Sequence, residues 1–259
     1  MRRWDREPPP PHPAGLIGVL QACLNGSLTP AEHSTVPITP RDLAVAAADA
    51  VAAGATDLHL HPRDSMGGET LEPAAVADAI IAVTTAVPGT PVGITTGAWT
   101  GSPTQRLDWV RHWTTLPDHA SVNWHEDGAH QMAELLLERG VEVDVGLWSA
   151  AAVTRWLGSP LRDRCSRVLL ELPDGPEADQ VRGLAEAMLA PLQGSVPVGR
   201  VLLHGEGSTA WEALEYAGWA GLQTRVGLED VLVLPDGSAA ADNAALVRVA
   251  RGVLWQGYP

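Results

Sequence analysis

Short apolar runs of strand length alternate along this chain with longer alanine-rich or amphipathic stretches of helix length. GLIGVLQACLNG is followed by RDLAVAAADAVAAG, TDLHLHPRD by EPAAVADAIIAVTTAV, and PVGITTGAW by SPTQRLDWVRHWTTL. HASVNWHE leads to GAHQMAELLLERG, VEVDVGLW to SAAAVTRWLG, and SRVLLELP to PEADQVRGLAEAMLAPL. VGRVLLHGEG then meets STAWEALEYAGWAG, and LQTRVGLED meets AADNAALVRVARGVLWQ. Strands separated by helices of this length run parallel through right-handed crossovers, and eight such units in 259 residues predict a closed α/β structure, a (β/α)8 TIM barrel. The barrel is expected to be a single domain over residues 16–259, preceded by a flexible proline-rich arm over residues 1–15. An open doubly wound sheet is the competing arrangement, but no GxGxxG follows the first strand to support it. Pro40 and Pro73 suit the first turns of helices, and Gly54 and Gly140 suit their ends.

Barrels of this type carry their chemistry where strands end and βα loops begin. The polar residues expected there are Asn25, His59, His61, Thr95, Thr96, Asn123, His125, His204, Glu206, Arg225, Glu229 and Asp230. In LHLHPRD, strand alternation puts His59 and His61 on one face and Leu58 and Leu60 on the other, so the two imidazoles are placed to grip one ion. Glu229, Asp230, His204 and Glu206 are candidates for a third ligand. Three nitrogen and oxygen ligands with an open position form the pattern of a catalytic divalent metal, zinc above all. Arg63 and Asp64 read as an ion pair beyond the strand. Gly205 and Gly207 read as a tight loop, and Trp99 and Trp148, at strand ends, as pocket walls.

Composition narrows the chemistry further. The formal charge is −14, with no basic cluster to track a phosphate backbone, so nucleic acid is not an expected partner. All 17 basic residues are arginine. The absence of lysine removes Schiff-base catalysis, a carbamylated-lysine metal bridge and a Walker-type phosphate lysine. Cys23 and Cys165 lie far apart in apolar runs and are expected to be buried free thiols in a reducing cytoplasm. Prolines stand where a signal peptide needs an apolar run, and no apolar stretch reaches the length of a membrane span.

LNG with PITP (24 to 40), LHLHPRD (58 to 64), ITTG (94 to 97), SVNW (121 to 124), LLHGEG (202 to 207) and TRVGLEDVLVLPDG (224 to 237) together resemble the β-keto acid cleavage enzymes, the family of the 3-keto-5-aminohexanoate cleavage enzyme. The resemblance runs in order from about residue 16 to the C-terminus and is nearest to the family's shorter members. It implies a zinc-dependent exchange between a β-keto acid and acetyl-CoA that yields acetoacetate and a new CoA thioester. It places the metal ligands on His59, His61 and Glu229, the general base on Asp230, and the arginine that orients the base on Arg225. Substrate contacts fall on Thr95 and Ser121 with Asn123 close by, and Asn25, Thr96, His204 and Glu206 complete the expected substrate side. LNGSLTP stands where the family's best-known member has a pocket glutamate near the first strand. In VEVDVGLW, Asp144 and Gly146 occupy two positions expected to face the substrate tail. Asp230 beside Arg225 is expected to stay ionised. If strand eight continues through Glu229 and Asp230, the two side chains point to opposite faces, so a bend or bulge is required for both to reach the mouth. The assembly is expected to be a homo-oligomer, such as a tetramer. Two other classes share an HxH barrel: a metal-dependent hydrolase of the amidohydrolase type, and a non-catalytic metal-binding barrel.

Overall fold

The structure, a computed structural model, describes residues 18–255, and the expected arm lies outside the described residues. Among these residues eight strands alternate with eight helices. They are β1 (Leu20–Cys23), α1 (Pro40–Ala53), β2 (Asp57–Leu60), α2 (Pro73–Ala86), β3 (Val92–Thr95), α3 (Pro103–Arg111), β4 (His119–Asn123) and α4 (Ala129–Glu138). The second half holds β5 (Glu142–Leu147), α5 (Ala150–Leu157), β6 (Arg167–Leu172), α6 (Ala178–Leu189), β7 (Val201–Gly205), α7 (Ala210–Ala220), β8 (Thr224–Val226) and α8 (Asn243–Trp255). Every strand pairs in parallel with its neighbour in the order β7-β6-β5-β4-β3-β2-β1-β8. Between β7 and β8 the ring is joined by a parallel bridge of Leu202 with Gln223 and by amide bonds between Gln223 and Val201 and Leu203. The (β/α)8 expectation is met.

Local chemistry sets the helix ends. Thr39 caps α1 through the amide of Asp42, whose carboxylate answers the Thr39 amide, while Pro40 supplies the first turn. Pro73 opens α2. Gly54 closes α1 at φ 117°, and Gly140, at φ 80°, follows α4.

Side-chain alternation divides each strand between two environments. Leu58, Leu60, Val92, Ile94, Val143, Val145, Val168 and Leu170 pack outward against the helices and form the buried apolar layer. The opposite faces look into the barrel and are unusually polar. At its floor Arg167 holds Asp144 with two bonds of 3.0 and 2.6 Å and Asp57 with one of 3.0 Å. His119 joins both carboxylates, at 2.8 Å from Asp144 and 3.0 Å from Asp57, and Gln21 donates to Asp57 at 2.8 Å. Two acids and two bases balance, which is the condition for burying charge. Asp144 therefore belongs to this floor and not to a substrate-facing wall, which corrects the expectation for strand five. Cys23 and Cys165 are both buried free thiols. No helix among the described residues is long and apolar enough to cross a membrane.

Candidate active site

The polar floor gives way, at the C-terminal ends of the strands, to a cavity of about 240 Å3. Its walls come from Gly26 and Ser27 after β1, His59 and His61 of β2 and its exit, Thr95 and Trp99 from β3, and Ser121 and Asn123 of β4. Trp148, Glu171, Glu206, Arg225 and Glu229 complete them.

His59 Nε2 lies 3.9 Å and His61 Nε2 3.5 Å from the Glu229 carboxylate. One ligand atom from each of the three residues falls within 4.8 Å of the others, close enough for all three to share an ion. Glu229 Oε2 is buried and has no hydrogen-bond partner among the described residues, a condition that a cation would relieve. His61 Nδ1 is engaged by the Glu69 carboxylate, which leaves Nε2 as the ligating atom. Trp99 Nε1 donates to the same carboxylate at 2.8 Å. The residues present thus fit a divalent metal ion, with a donor set that suits zinc.

Protonation divides the two histidines: burial opposes charge on His61, but the Glu229 and Glu69 carboxylates outweigh it and raise its pKa to about 9, so a metal would displace a proton there. Burial holds His59 down to about 3, so it is a neutral ligand. Burial opposes charge on Glu229 too, but Arg225, His61 and His59 outweigh it and keep the carboxyl well below its ordinary value. Beside it Asp230 is pushed upward, because burial outweighs its 2.7 Å bond with Arg225. The pairing with Arg225 was expected and is present, but its dominance over desolvation was not. A carboxylate of raised basicity is the better proton acceptor.

Of the two acids only Glu229 lines the cavity. β8 ends at Val226 and the chain turns tightly, the amides of Asp230 and Val231 each donating to Gly227 O at 3.0 Å, and Asp230 is left buried beside the lining Arg225. A turn, not a bulge, separates the two side chains. Only glycine fits at 227, where a Cβ would lie 1.9 Å from Cys23 O. Gly26, at φ +53°, would put a Cβ 2.6 Å from Glu229 Cγ, so it too clears space for this carboxylate.

Of the expected substrate-side residues, Thr95, Ser121, Asn123 and Glu206 line the cavity. Asn25, Thr96 and His204 do not. Asn25 is spent on backbone, donating to Pro37 O and His61 O and accepting from His61 N, so it sets the path of the chain at His61. The Thr96 hydroxyl donates to Ser121 O at 2.7 Å and ties β3 to β4. His204 is fully buried and accepts at Nδ1 from Arg225 Nε at 3.1 Å. Arg63 forms no pair with Asp64: its guanidinium binds the carbonyls of Gly26, Leu28 and Gly67, and the Asp64 carboxylate accepts from Met66 and Gly68 amides. Arg63 thereby pins the loop that carries Gly26 and Ser27. Trp99 and Trp148 stand at the rim as expected, with His125 edge-on to Trp148.

Two residues escaped sequence reasoning. Glu69 sits in a glycine-rich loop with no periodicity, although a ligating histidine calls for a carboxylate partner nearby. Glu171 sits inside the apolar run RVLLEL, and an acid within a buried strand was the available signal.

The fold and this cluster define a (β/α)8 barrel with a candidate divalent-metal site at its C-terminal mouth. The chain belongs to the beta-keto acid cleavage enzyme family, whose model matches residues 18–256. Among solved structures it is similar to a ternary complex of ObcA with a C4-CoA adduct and oxalate, at TM-score 0.70 and 19% identity, over 86% of this chain and 64% of that one. A binary complex of ObcA with oxaloacetate gives 0.66 and 18%, with the same coverage. A type I 3-dehydroquinate dehydratase from Clostridium difficile gives 0.65 and 11%, over 92% of this chain and 91% of that one. At these identities the likeness is one of fold, and the chain spans about 64% of the length of the ObcA chains. A search of curated proteins finds no match.

Proposed function

We propose that this protein exchanges the acyl part of a β-keto acid with acetyl-CoA, releasing acetoacetate and a new CoA thioester, with zinc as its metal. The observation that carries this reading is the convergence of His59, His61 and Glu229 on one cavity of a chain of this family, with the buried Asp230 bonded to Arg225 of the same cavity wall. His59, His61 and Glu229 would hold the zinc. When bound, it supplies positive charge beside the keto acid's oxygens, where the enolate's negative charge develops.

Asp230 takes the proton from C2 of the keto acid, and Arg225, bonded to both Asp230 and Glu229, holds the base in place. Thr95 and Ser121, with Asn123 beside them, orient the substrate, and the aromatic rim of Trp99 and Trp148 limits water's access. Asn25, Thr96 and His204 serve from behind the wall. No lysine is needed in this scheme. The HxH pair stands on the second strand, whereas the amidohydrolase arrangement would place it on the first. The test is a panel of β-keto acids incubated with acetyl-CoA and read as acetoacetate. Metal-dependent hydrolysis of an amide or lactone panel without CoA, in place of acetoacetate formation, would overturn this reading.

A further inference from the structure

The cavity holds a second carboxyl that neither the metal ligands nor the Asp230–Arg225 pair uses. Glu171, at the end of β6, is 6% exposed and lines the same wall system as Thr95, Ser121 and Glu229. It reaches the cavity because the neighbouring strand carries a glycine. A Cβ at Gly146 would stand 2.5 Å from Glu171 Oε1 and 2.6 Å from Asn123 Oδ1, so the two oxygens converge over the space that a side chain would fill. Asn123 Nδ2 is committed to Glu126 at 2.9 Å, which leaves Oδ1 as the atom facing Glu171.

His204 stands on the other side of the carboxyl. Its Nδ1 accepts from Arg225, so its proton sits on Nε2, which lies 3.6 Å from Glu171 Oε2 and has no hydrogen-bond partner among the described residues. That buried N–H faces Oε2, while Oε1 is turned over Gly146 toward the cavity. We propose that Glu171 is a catalytic acid in the exchange reaction proposed above, carrying its proton on the cavity side and acting on the carbonyl oxygen while Asp230 acts on carbon. Charges facing it come from Arg225 and Glu229 at β8, His125 and Glu126 after β4, and His204 and Glu206 at β7. Burial first, then Glu229 and Glu126, push its pKa up to about 7 against the pull of Arg225 and His125, so a protonated fraction is available near neutrality.

The step balances. The C2 carbanion adds to the thioester carbonyl, a C–C bond forms, and the carbonyl's π electrons move to oxygen, which takes the Glu171 proton. Collapse returns that proton to Glu171, re-forms C=O and breaks C–S with the electron pair leaving on sulfur. The thiolate then adds to the substrate's own ketone with the same proton movement. Cleavage of the old C–C bond releases the acetoacetate carbanion, which recovers its proton from Asp230.

The experiment is the pH profile of acetoacetate formation by the zinc-loaded protein and its Glu171→Gln and Glu171→Asp variants. The parent profile falls at alkaline pH as Glu171 ionises. Glu171→Gln, which donates a hydrogen bond but transfers no proton, lowers kcat by ~10²–10⁴-fold and abolishes the alkaline fall. Glu171→Asp restores part of the rate with the fall displaced. A Glu171→Gln enzyme with near-parent kcat and an intact alkaline fall overturns the assignment, as does a change in KM alone. If that variant does not fold, an undisplaced fall in Glu171→Asp overturns it. Exchange of the C2 hydrogen with deuterated water, measured on the parent without acetyl-CoA, separates the two levels: its absence overturns the underlying function together with the role of Glu171.

Discussion

Arg167 is the keystone of the barrel floor, and Arg167→Met isolates what that floor contributes. The substitution keeps most of the side chain's length and apolar stem but deletes three charge-assisted bonds, two to Asp144 and one to Asp57. Two buried carboxylates then face a single imidazolium, and the cluster carries one uncompensated negative charge. Breaking a buried pair in this way costs about 3–5 kcal/mol.

The pH dependence follows from the titrating partners. Asp144 is held below its ordinary value of 3.8, since His119 and Arg167 outweigh its burial. Its contribution is complete above that value and is lost as pH falls through the lower folded one. His119 is raised from 6.5 to about 10, its two carboxylates outweighing burial, so its contribution is complete below 6.5 and is lost as pH rises toward 10. The parent floor is therefore at full strength between about pH 4 and 6.5. In the variant the unpaired carboxylate has a raised pKa, and lowering the pH protonates it and relieves the charge. Urea unfolding followed by fluorescence of the ten tryptophans should show a gap of about 3–5 kcal/mol at pH 7 that shrinks by half or more near pH 4.5. A gap below about 1 kcal/mol at pH 7, or one that does not change with pH, refutes the reasoning.

At the mouth, His59→Ala and His61→Ala should each lose most of the roughly one zinc per chain expected by metal analysis, and full occupancy in both would remove the basis of the assignment. Glu69→Gln, which spares the three ligands but weakens the carboxylate behind His61, should lower metal affinity about 10- to 100-fold in a chelator competition. Asp230→Asn should keep its zinc and its circular dichroism while C2 exchange falls ~10²–10⁴-fold, and exchange at the parent rate would transfer the base role to another residue. Gly227→Ala, with its Cβ 1.9 Å from Cys23 O, should shift the turn that carries Glu229 and lower both thermal stability and metal content; unchanged values of both would contradict that close approach.

The architecture was legible because each strand and each helix has its own period and length, and units such as TDLHLHPRD with EPAAVADAIIAVTTAV announce both. His59 and His61 were legible for the same reason, since alternation fixes their shared face. Glu229 and Asp230 were readable as residues but not as geometry: the turn at Gly227 depends on the backbone of β1, far away in sequence. Asn25 and Thr96 look like binding residues by position, and only the packed structure shows their polar atoms taken by backbone. Asp144 and Glu171 were hard for the opposite reason. A carboxylate inside an apolar strand has no meaning until the strands across the barrel supply Arg167 and His119 in one case and Gly146 and His204 in the other.

The two halves of the candidate metal site come from opposite ends of the chain's order of synthesis. The histidines stand on the second unit and the glutamate on the eighth, with β1 lying between β2 and β8 in the ring. An ion held there is a clasp across the last-formed part of the barrel, linking residues separated by most of its sequence. A nascent chain that has made only seven units offers the two imidazoles without Glu229, so capture of an ion by all three reports that the ring has closed. Removing the ion should accordingly loosen β8 and the turn after it before the rest of the barrel, in amides whose hydrogen exchange can be followed one segment at a time.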